Sequence, residues 1–198
     1  VGDNGTILTS SDGTTWTNTS TNKRTTLRYF SKPDAHHLYG VTYGDGLFVT
    51  VGGDATIFTS SDGTTWTENG QDFRSKWVNG QYFKAVTYRN KLFVLVGRNG
   101  KIMNSPDGIT WKERKAGTTN NLMGVTYSPT CGKVEWKGLD AGLCKNGIFV
   151  TVGKGGKILT SFDGNWWVKR TFKGAGWIYA VTYGNGTFVT VGDNGVIL

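Results

Sequence analysis

Short runs of alternating apolar and polar residues recur along the chain, each bounded by residues that favour turns. In the unit that begins near residue 40 these runs are GVTY, LFVTVG and TIFTS, followed by a fourth run after the sequence TTW. Alternation with a period of two over such short runs is typical of β-strands. In LFVTV it places Phe48 and Val49 on opposite faces of a sheet. The linking Gly-Asp-Gly, Gly-Asn-Gly and Ser-Asp-Gly sequences tolerate positive φ in tight hairpins. The pattern predicts units of four short antiparallel strands, which we call a, b, c and d.

This unit is repeated along the chain. The copies cover residues 39–66, 84–111 and 123–167, with a fourth copy split between 179–198 and 1–16. The Val-Gly step at the end of strand b recurs at intervals of roughly 40–55 residues, the spacing of β-propeller blades. We therefore predict one all-β domain over residues 1–198, a β-propeller of four-stranded antiparallel blades with four blades represented. The predicted repeats are 1–38, 39–83, 84–122, 123–178 and 179–198, with a loop insertion at 128–146.

The two ends of the chain carry nearly the same octapeptide, VGDNGTIL at residues 1–8 and VGDNGVIL at 191–198. A propeller chain can begin partway through a blade and complete that blade with its other end, which removes exposed sheet edges. Strand c is however present at both ends, and a closed ring needs it once. Three interpretations stay open: a ring with one copy displaced, a window of a protein with more blades, or a spare strand that completes a neighbouring subunit.

The composition agrees with short strands and tight turns, since Gly is abundant at 30 residues and Pro is scarce at 3. No apolar run has the length needed to span a bilayer as a helix. No signal-peptide pattern occurs in these 198 residues, and from the start at Val we expect a processed product or a window of a longer chain. Cys131 and Cys144 lie in one glycine-rich insertion. A disulfide between them would indicate an oxidising compartment, and two unlinked thiols are the alternative.

Each repeat also carries the motif Ser-x-Asp-Gly-x-x-Trp after strand c. Its Asp and Trp residues are Asp12, Trp16, Asp62, Trp66, Asp107, Trp111, Asp163 and Trp167. This motif resembles the Asp box of sialidase-like (BNR) β-propellers, and the whole unit is similar to repeats of photosystem II assembly factor-like propellers. The resemblance implies that the Asp accepts backbone N–H bonds within the c–d hairpin while the Trp packs into the blade. A ring of four calcium-binding carboxylates is disfavoured, because each blade offers only one.

The sequence does not predict an enzyme. Sialidases that share this repeat need an arginine triad, a Tyr–Glu nucleophile pair and an acidic residue, and the Arg-Ile-Pro type of motif that marks them is absent. The glutamates Glu68, Glu113 and Glu135 form no convincing pair of carboxylates across a sugar ring. His36 and His37 are adjacent and lack a third ligand at metal spacing. We predict no catalytic site, no cofactor and no metal.

Positive charge is concentrated in the linkers between strands d and a. The four linkers hold 13 basic and 4 acidic residues, whereas the whole chain has a net charge of +8. Alternating strand directions place these linkers and the b–c turns on one face, with the Ser-x-Asp-Gly-x-x-Trp hairpins and the cysteine insertion on the other. The linkers also carry aromatic residues, which stack on sugars or bases beside a cation. The candidate ligand-binding residues are Arg28, Tyr29, Arg74, Trp77, Arg170 and Trp177.

Two functions follow from these observations. The first is a non-catalytic recognition or adhesion module, extracellular or at the cell surface or in a periplasm, that binds a glycan or another anionic polymer through the basic and aromatic face. The alternative is a protein-interaction scaffold, or a structural subunit that assembles through its duplicated terminal strand. Only the positive charge of the chain favours nucleic acid as a ligand, because no recognition motif is present.

Overall fold

The chain folds into short antiparallel strands joined by tight turns. The computed structural model describes residues 1–20, 37–69, 81–130, 147–170 and 176–195, together with Ile197. In chain order, the strands are β1 (Leu8–Thr9), β2 (Thr17–Asn18), β3 (Leu38–Gly44), β4 (Leu47–Gly52), β5 (Ile57–Ser60), β6 (Thr67–Glu68), β7 (Phe83–Arg89), β8 (Leu92–Gly97), β9 (Ile102–Ser105), β10 (Lys112–Arg114), β11 (Leu122–Ser128), β12 (Ile148–Gly153), β13 (Lys157–Ser161), β14 (Val168–Arg170), β15 (Ile178–Gly184) and β16 (Thr187–Gly192). One-turn 3₁₀ segments at Asp3–Gly5, Gly53–Ala55, Arg98–Gly100 and Asp193–Gly195 lie between strands b and c.

These strands form three complete blades and two half-blades. Blade I contains β3 to β6, blade II contains β7 to β10 and blade III contains β11 to β14, each with its strands paired in chain order. The pair β1–β2 forms the N-terminal half-blade, and the pair β15–β16 forms the C-terminal half-blade. The predicted all-β class and the four-stranded antiparallel unit are confirmed.

Successive blades contact each other through their first strands. The inner strands β3, β7, β11 and β15 pack side by side in that order. Small residues allow this close approach, since a Cβ on Gly40 would lie 3.2 Å from the Cα of Ala85, and one on Gly124 would lie 3.2 Å from the Cα of Ala180. The side chains at the rim of the inner strands are therefore brought together from all four repeats.

Apolar side chains between successive blades form the core. Val49 and Val51 of blade I pack with Val86 and Phe93 of blade II, and all four are buried. Phe48 points the other way, toward the cluster that contains Ile7 of the N-terminal half-blade. The predicted alternation of Phe48 and Val49 is therefore confirmed, and it lets each sheet pack against a blade on both sides.

The two halves of the split repeat do not join into one blade within the described part of the chain. They form separate two-stranded sheets at the two ends of an open row, one beside blade I and the other beside blade III. The duplicated strand c accounts for part of this arrangement. Ile197 already bridges Val191 at the edge of β16, so the pairing position that Ile7 would need is occupied by the second copy of the octapeptide.

Strand direction assigns the turns to two faces. The turn face carries the b–c turns, the ends of the d strands and the starts of the a strands, and the hairpin face carries the described a–b and c–d hairpins, since neighbouring strands are antiparallel in each blade. Cys131, Cys144 and most of their insertion lie outside the described residues.

Candidate functional site

The Ser-x-Asp-Gly-x-x-Trp hairpins have one geometry in all four repeats. In blade II the Oδ1 atom of Asp107 accepts the N–H groups of Ile109 and Thr110 at 2.9 and 2.7 Å, and the hydroxyl of Ser105 donates to it at 2.7 Å. The indole N–H of Trp111 donates to the carbonyl of Gly108 at 3.0 Å. These carboxylates therefore hold their own turns.

The same hydrogen bonds stabilise the ionised carboxyl groups. Burial raises the pKa of Asp107, but the N–H bonds of Thr110 and Ile109 together with the hydroxyl of Ser105 outweigh it, and the pKa falls to about 2. Backbone N–H bonds, the largest from Thr15 and Thr65, likewise hold the pKa values of Asp12 and Asp62 well below the usual range.

Acid will therefore destabilise the fold through these turns. A carboxyl group with a lowered folded-state pKa contributes stability above its unfolded value of about 3.9, and the contribution is lost as the pH falls toward the folded value. The urea midpoint will stay level from neutral pH to roughly pH 5 and then fall between roughly pH 4 and pH 2. The Asp107→Asn variant, which cannot ionise there, will show a shallower fall. An equal slope for the variant and the parent chain would contradict this role for Asp107.

The predicted ligand-binding residues do not form one cluster in the described part of the chain. Arg28, Tyr29, Arg74 and Trp77 lie outside the described residues. Arg170 lies on the outer strand β14, where its Nε donates to the Thr160 hydroxyl at 2.8 Å and where burial lowers its pKa. Trp177 precedes the inner strand β15. Arg170 and Trp177 thus lie on an outer strand of one blade and at an inner strand of the next.

A backbone hydrogen bond repeated in four units marks a different site on the turn face. The first residue of each b–c turn donates its N–H at 2.8 Å to the carbonyl of the residue just before strand a. The donors are Gly53, Arg98, Lys154 and Asp193, and the acceptors are His37, Tyr82, Asn121 and Trp177 in the same order. We call the donors turn residues and the acceptors lead residues.

The recurring Val-Gly step makes this bond possible. A Cβ on Gly97 would lie 2.1 Å from the carbonyl oxygen of Tyr82, and a Cβ on Gly192 would lie 2.2 Å from that of Trp177. Gly52 and Gly153 are in the same position at 2.2 and 2.1 Å. A glycine is therefore required where each turn passes over the start of strand a.

A β-bulge adds a third variable side chain to each repeat. The pairing of strands a and b skips one residue just after the start of strand a in every repeat. The bulge residues are Tyr39, Lys84, Met123 and Tyr179. Because a bulge redirects the side chain that it inserts, these residues join the lead and turn residues. We call this set of lead, bulge and turn residues the inner rim.

Blades I and II contribute aromatic rings and cations to the inner rim. The Nζ atom of Lys84 lies 3.5 Å from the ring centroid of Tyr39 and 5.3 Å from that of Tyr82. The guanidinium of Arg98 lies 5.7 Å from the Tyr82 centroid. His37 stacks on Tyr39 with the two centroids 6.3 Å apart. Cations and ring faces within about 6 Å attract each other, so this part of the rim is ordered around its aromatic rings.

The C-terminal end of the inner rim is built around Trp177. Its ring stacks on that of Tyr179 at 6.1 Å, and the Nζ atom of Lys154 lies 5.1 Å from its centroid. Asp193 fixes the pair, because its carboxylate accepts the Tyr179 hydroxyl at 2.5 Å and the Trp177 backbone N–H at 2.8 Å. The hydroxyl bond raises the pKa of Tyr179 and lowers the pKa of Asp193.

Five residues of the inner rim are not among the ligand-binding residues predicted from the sequence: Tyr39, Tyr82, Lys84, Lys154 and Tyr179. The repeats did contain a signal for them. One position varies as Tyr, Lys, Met and Tyr before an otherwise constant Gly/Ala-Val-Thr-Tyr, and the residue after Val-Gly varies as Gly, Arg, Lys and Asp. Variable residues at fixed places in a constant scaffold are typical of a binding surface.

An open cleft of about 820 Å³ lies beside the inner rim on the turn face. Its lining includes the b–c turn residues Asn99 and Gly100 together with three basic side chains, Arg114, Lys115 and Lys169. Glu113 also lines it, and this residue is ion-paired with Lys101 at 2.6 Å. The cleft extends the basic character of the turn face outward between blades II and III.

No group of three or more His, Cys, Asp and Glu side chains within the described ranges is arranged to hold a metal ion. No helix in the same part of the chain is long and apolar enough to cross a membrane.

Comparison with known proteins supports the fold. No protein-family model matches the chain, and no curated protein matches its sequence. Among solved structures, the chain is similar to YCF48 bound to a D1 peptide, with a TM-score of 0.65 and 17% identity over 100% of this chain. It is also similar to the computationally designed Ika4 protein, with a TM-score of 0.54 and 12% identity over 81% of this chain and 88% of that one. YCF48 is a β-propeller, and the chain spans 57% of its length.

Proposed function

We propose that this chain is a non-catalytic binding module whose inner rim binds an acidic segment of another polypeptide. The observation that supports this most directly is the inner rim itself. Each repeat contributes a lead, a bulge and a turn residue to it, and these residues bring cations and aromatic rings together on one side of the scaffold. Binding residues are commonly presented in this way by loops and strand ends.

The charge of the inner rim favours an acidic ligand. Lys84 and Arg98 of blade II and Lys154 of blade III contribute three cations, and Asp193 contributes a carboxylate that is already bonded to Tyr179 and Trp177. The chain as a whole carries a net charge of +8. A long-range field of this sign attracts acidic partners before contact and loses strength as salt increases.

The aromatic residues favour a ligand with its own apolar or planar side chains. The Trp177 and Tyr179 rings are stacked and fixed by Asp193 before any ligand arrives. A surface that is already ordered loses little conformational entropy on binding. The similarity to YCF48, which was solved with a bound D1 peptide, supports a polypeptide as the ligand class, so we place the protein-interaction hypothesis ahead of the glycan hypothesis.

Glycan binding is the second candidate, and the same stacked pair favours it. Sugar rings stack on aromatic faces, and Lys154 beside Trp177 could pair with a carboxylate or sulfate on the sugar. This second proposal includes an extracellular or cell-surface location and a disulfide between Cys131 and Cys144, both of which are predicted from the sequence.

Peptide binding will depend on the inner rim. Fluorescence anisotropy with a fluorescein-labelled peptide of Asp, Glu and Tyr will show saturable binding that weakens as salt is added. The Trp177→Ala and Lys154→Ala variants will each lower the affinity about tenfold, the size expected for a lost stacking or cation contact. A peptide in which Lys replaces Asp and Glu will not bind.

Matched controls distinguish the rim from the rest of the surface. Trp166 is exposed on the hairpin face and Lys112 is exposed on an outer strand, so Trp166→Ala and Lys112→Ala will leave peptide affinity unchanged. Equal losses for rim and control variants would refute the proposed site. Binding of a sulfated oligosaccharide at the rim, with no binding of the acidic peptide, would establish the second candidate instead.

A further inference from the structure

The cleft between blades II and III collects positive charge from both blades. Blade II supplies Arg114 at the end of β10 and Lys115 just after it, and blade III supplies Lys169 on β14. Among the described residues that line the cleft, Glu113 carries the only carboxylate, and it is ion-paired with Lys101 at 2.6 Å. The described lining therefore keeps an excess of positive charge.

The walls of the cleft are fixed by the backbone. The d–a linker of blade II, residues 115–121, crosses the b–c turn of the same blade so closely that a Cβ on Gly100 would overlap the carbonyl oxygen of Thr118. The side-chain amide of Asn120 donates to the carbonyl of Lys154 at 3.0 Å, which ties the linker to blade III. The cleft is thus formed before a ligand arrives, and a formed site loses little conformational entropy on binding.

Two of the three cations are held by their neighbours. The Nε atom of Arg114 donates to Oδ1 of Asn104 at 3.1 Å. This bond uses one of the five N–H donors of a guanidinium, and the other four lie on its two terminal nitrogens. The side chain of Lys169 crosses from blade III to the linker, where its Cε atom would lie 3.6 Å from a Cβ on Gly117. Arginine and lysine side chains are the usual partners of phosphate groups in proteins.

Blade III carries like charges where blade II has an ion pair. Lys101 and Glu113 lie diagonally across the c and d strands of blade II, and Lys157 and Lys169 hold the matching positions in blade III, where the strand register is the same. Neighbouring like charges destabilise a sheet. The lysine at position 169 is therefore unfavourable for the chain alone, and an anion bound beside it would offset that cost.

We propose that this cleft is a second binding site, separate from the inner rim, and that it takes a phosphate monoester. Such a group carries a charge of about −2 and three acceptor oxygens in a small volume. It therefore matches three cations in one cleft better than a single carboxylate does. The source of the group rests on the proposed function: the polypeptide that binds the inner rim carries it as phosphoserine or phosphothreonine.

The cleft and the inner rim adjoin each other, so one polypeptide can reach both. Asn99 lines the cleft and directly follows the turn residue Arg98. The backbone N–H of Asn99 donates to Oδ1 of the lead residue Asn121 at 3.0 Å, which bonds this edge of the cleft to the rim. A phosphorylated residue close in sequence to the acidic residues at the rim can therefore enter the cleft.

Paired peptides test the site by fluorescence anisotropy. Acidic peptides with one serine at successive positions are each compared with the phosphoserine form of the same peptide. The best phosphoserine form will bind about tenfold more tightly than its partner, the size of one added charge-assisted contact. Trp177→Ala at the inner rim will weaken both forms by the same factor and leave their ratio unchanged. Equal affinity of the two forms at every serine position would overturn the polypeptide as the source of the phosphate.

A charge reversal that preserves the fold shows whether the cleft provides this preference. Lys169→Glu gives blade III the charges of blade II, with a carboxylate near Lys157, so its thermal midpoint will not fall. The variant will lose the tenfold preference for the phosphoserine form. Lys112→Glu makes the same change of charge on an exposed outer-strand residue outside the lining of the cleft, and it will keep the preference. The same preference in both variants would overturn the assignment to the cleft.

Inorganic phosphate tests the cleft independently of the inner rim. Titration of the isotope-labelled chain will shift the amide resonances of Gly117, Thr118 and Thr119 to saturation, and Lys169→Glu will abolish these shifts. Such shifts in a chain that binds neither form of the peptide would refute the proposed function and still support the cleft as a phosphate site. No shift with phosphate, or shifts with a sulfated oligosaccharide alone, would overturn the cleft as a phosphate site.

Discussion

The Gly97→Ala variant will lose about 3 kcal/mol of its free energy of unfolding, the upper end of the cost of forcing an extra carbon into a packed region. The new Cβ would lie 2.1 Å from the carbonyl oxygen of Tyr82 and 3.0 Å from the Cα of Phe83. Backbone atoms cannot rotate away as a flexible side chain can, so strand β7 has to shift. The thermal midpoint will fall by roughly 6–12 °C.

Gly2→Ala is the matched control for this prediction. Gly2 has the same extended backbone as Gly97, with φ of −168° against −169°, so neither glycine is required for its dihedral angles. A Cβ on Gly2 meets nothing within 4 Å, because the N-terminal half-blade has no strand a beneath its turn. Gly2→Ala will therefore melt with the parent chain. If Gly97→Ala were equally harmless, the close approach of turn and strand would not constrain the fold.

The Trp111→Ala variant will lose about 3–5 kcal/mol, as large aromatic residues do when they are removed from a core. The Trp111 ring packs with Phe93 at a centroid distance of 6.4 Å and belongs to the cluster between blades I and II. Its removal leaves a cavity that the surrounding strands cannot close. Urea denaturation followed by tyrosine and tryptophan fluorescence will report the loss as a lower midpoint.

Trp16→Ala makes the same substitution at a position that no preceding blade covers among the described residues. Trp16 keeps the indole hydrogen bond to the carbonyl of its own glycine at 3.3 Å, as Trp111 does at 3.0 Å. Trp16 is 57% exposed, so its removal will cost only a few tenths of a kcal/mol, the usual effect of a surface substitution. Equal losses at the two positions would mean that the hairpin, and not the contact between blades, provides the stability.

The repeats made the blades predictable, because each blade depends on local alternation and on turn residues that recur. Phe48 and Val49 illustrate this: the alternation in five residues was sufficient to assign them to opposite faces. The sequence alone did not predict that the two half-blades remain apart at the ends of an open row. Whether β16 pairs with Ile7 or with Ile197 depends on competition between two nearly identical segments. The repeat pattern is the same in both segments, so it cannot show which of them pairs.

Of the six predicted ligand-binding residues, two lie among the described residues, and one of these two belongs to the inner rim. Trp177 lies on the inner rim, whereas Arg170 is bonded within blade III to Thr160. The prediction drew on the most charged linkers, and it could not identify Tyr39 or Lys84, because a β-bulge decides where those side chains point. A bulge is set by the pairing of two strands and leaves little trace in either one alone.

The backbone bond between each b–c turn and the start of the inner strand of its own blade separates the residues that hold the fold from the residues that are available for binding. The glycine and the two main-chain groups that make this bond hold the architecture, and they impose no side chain at the three neighbouring positions. Those positions can change in one repeat while the other repeats keep their geometry. A few point mutations at these positions can then change the ligand preference. Exchanging one whole repeat for another would transfer the preference of the first repeat to the position of the second. Such a binding surface can therefore evolve by single substitutions, each of which leaves the fold intact.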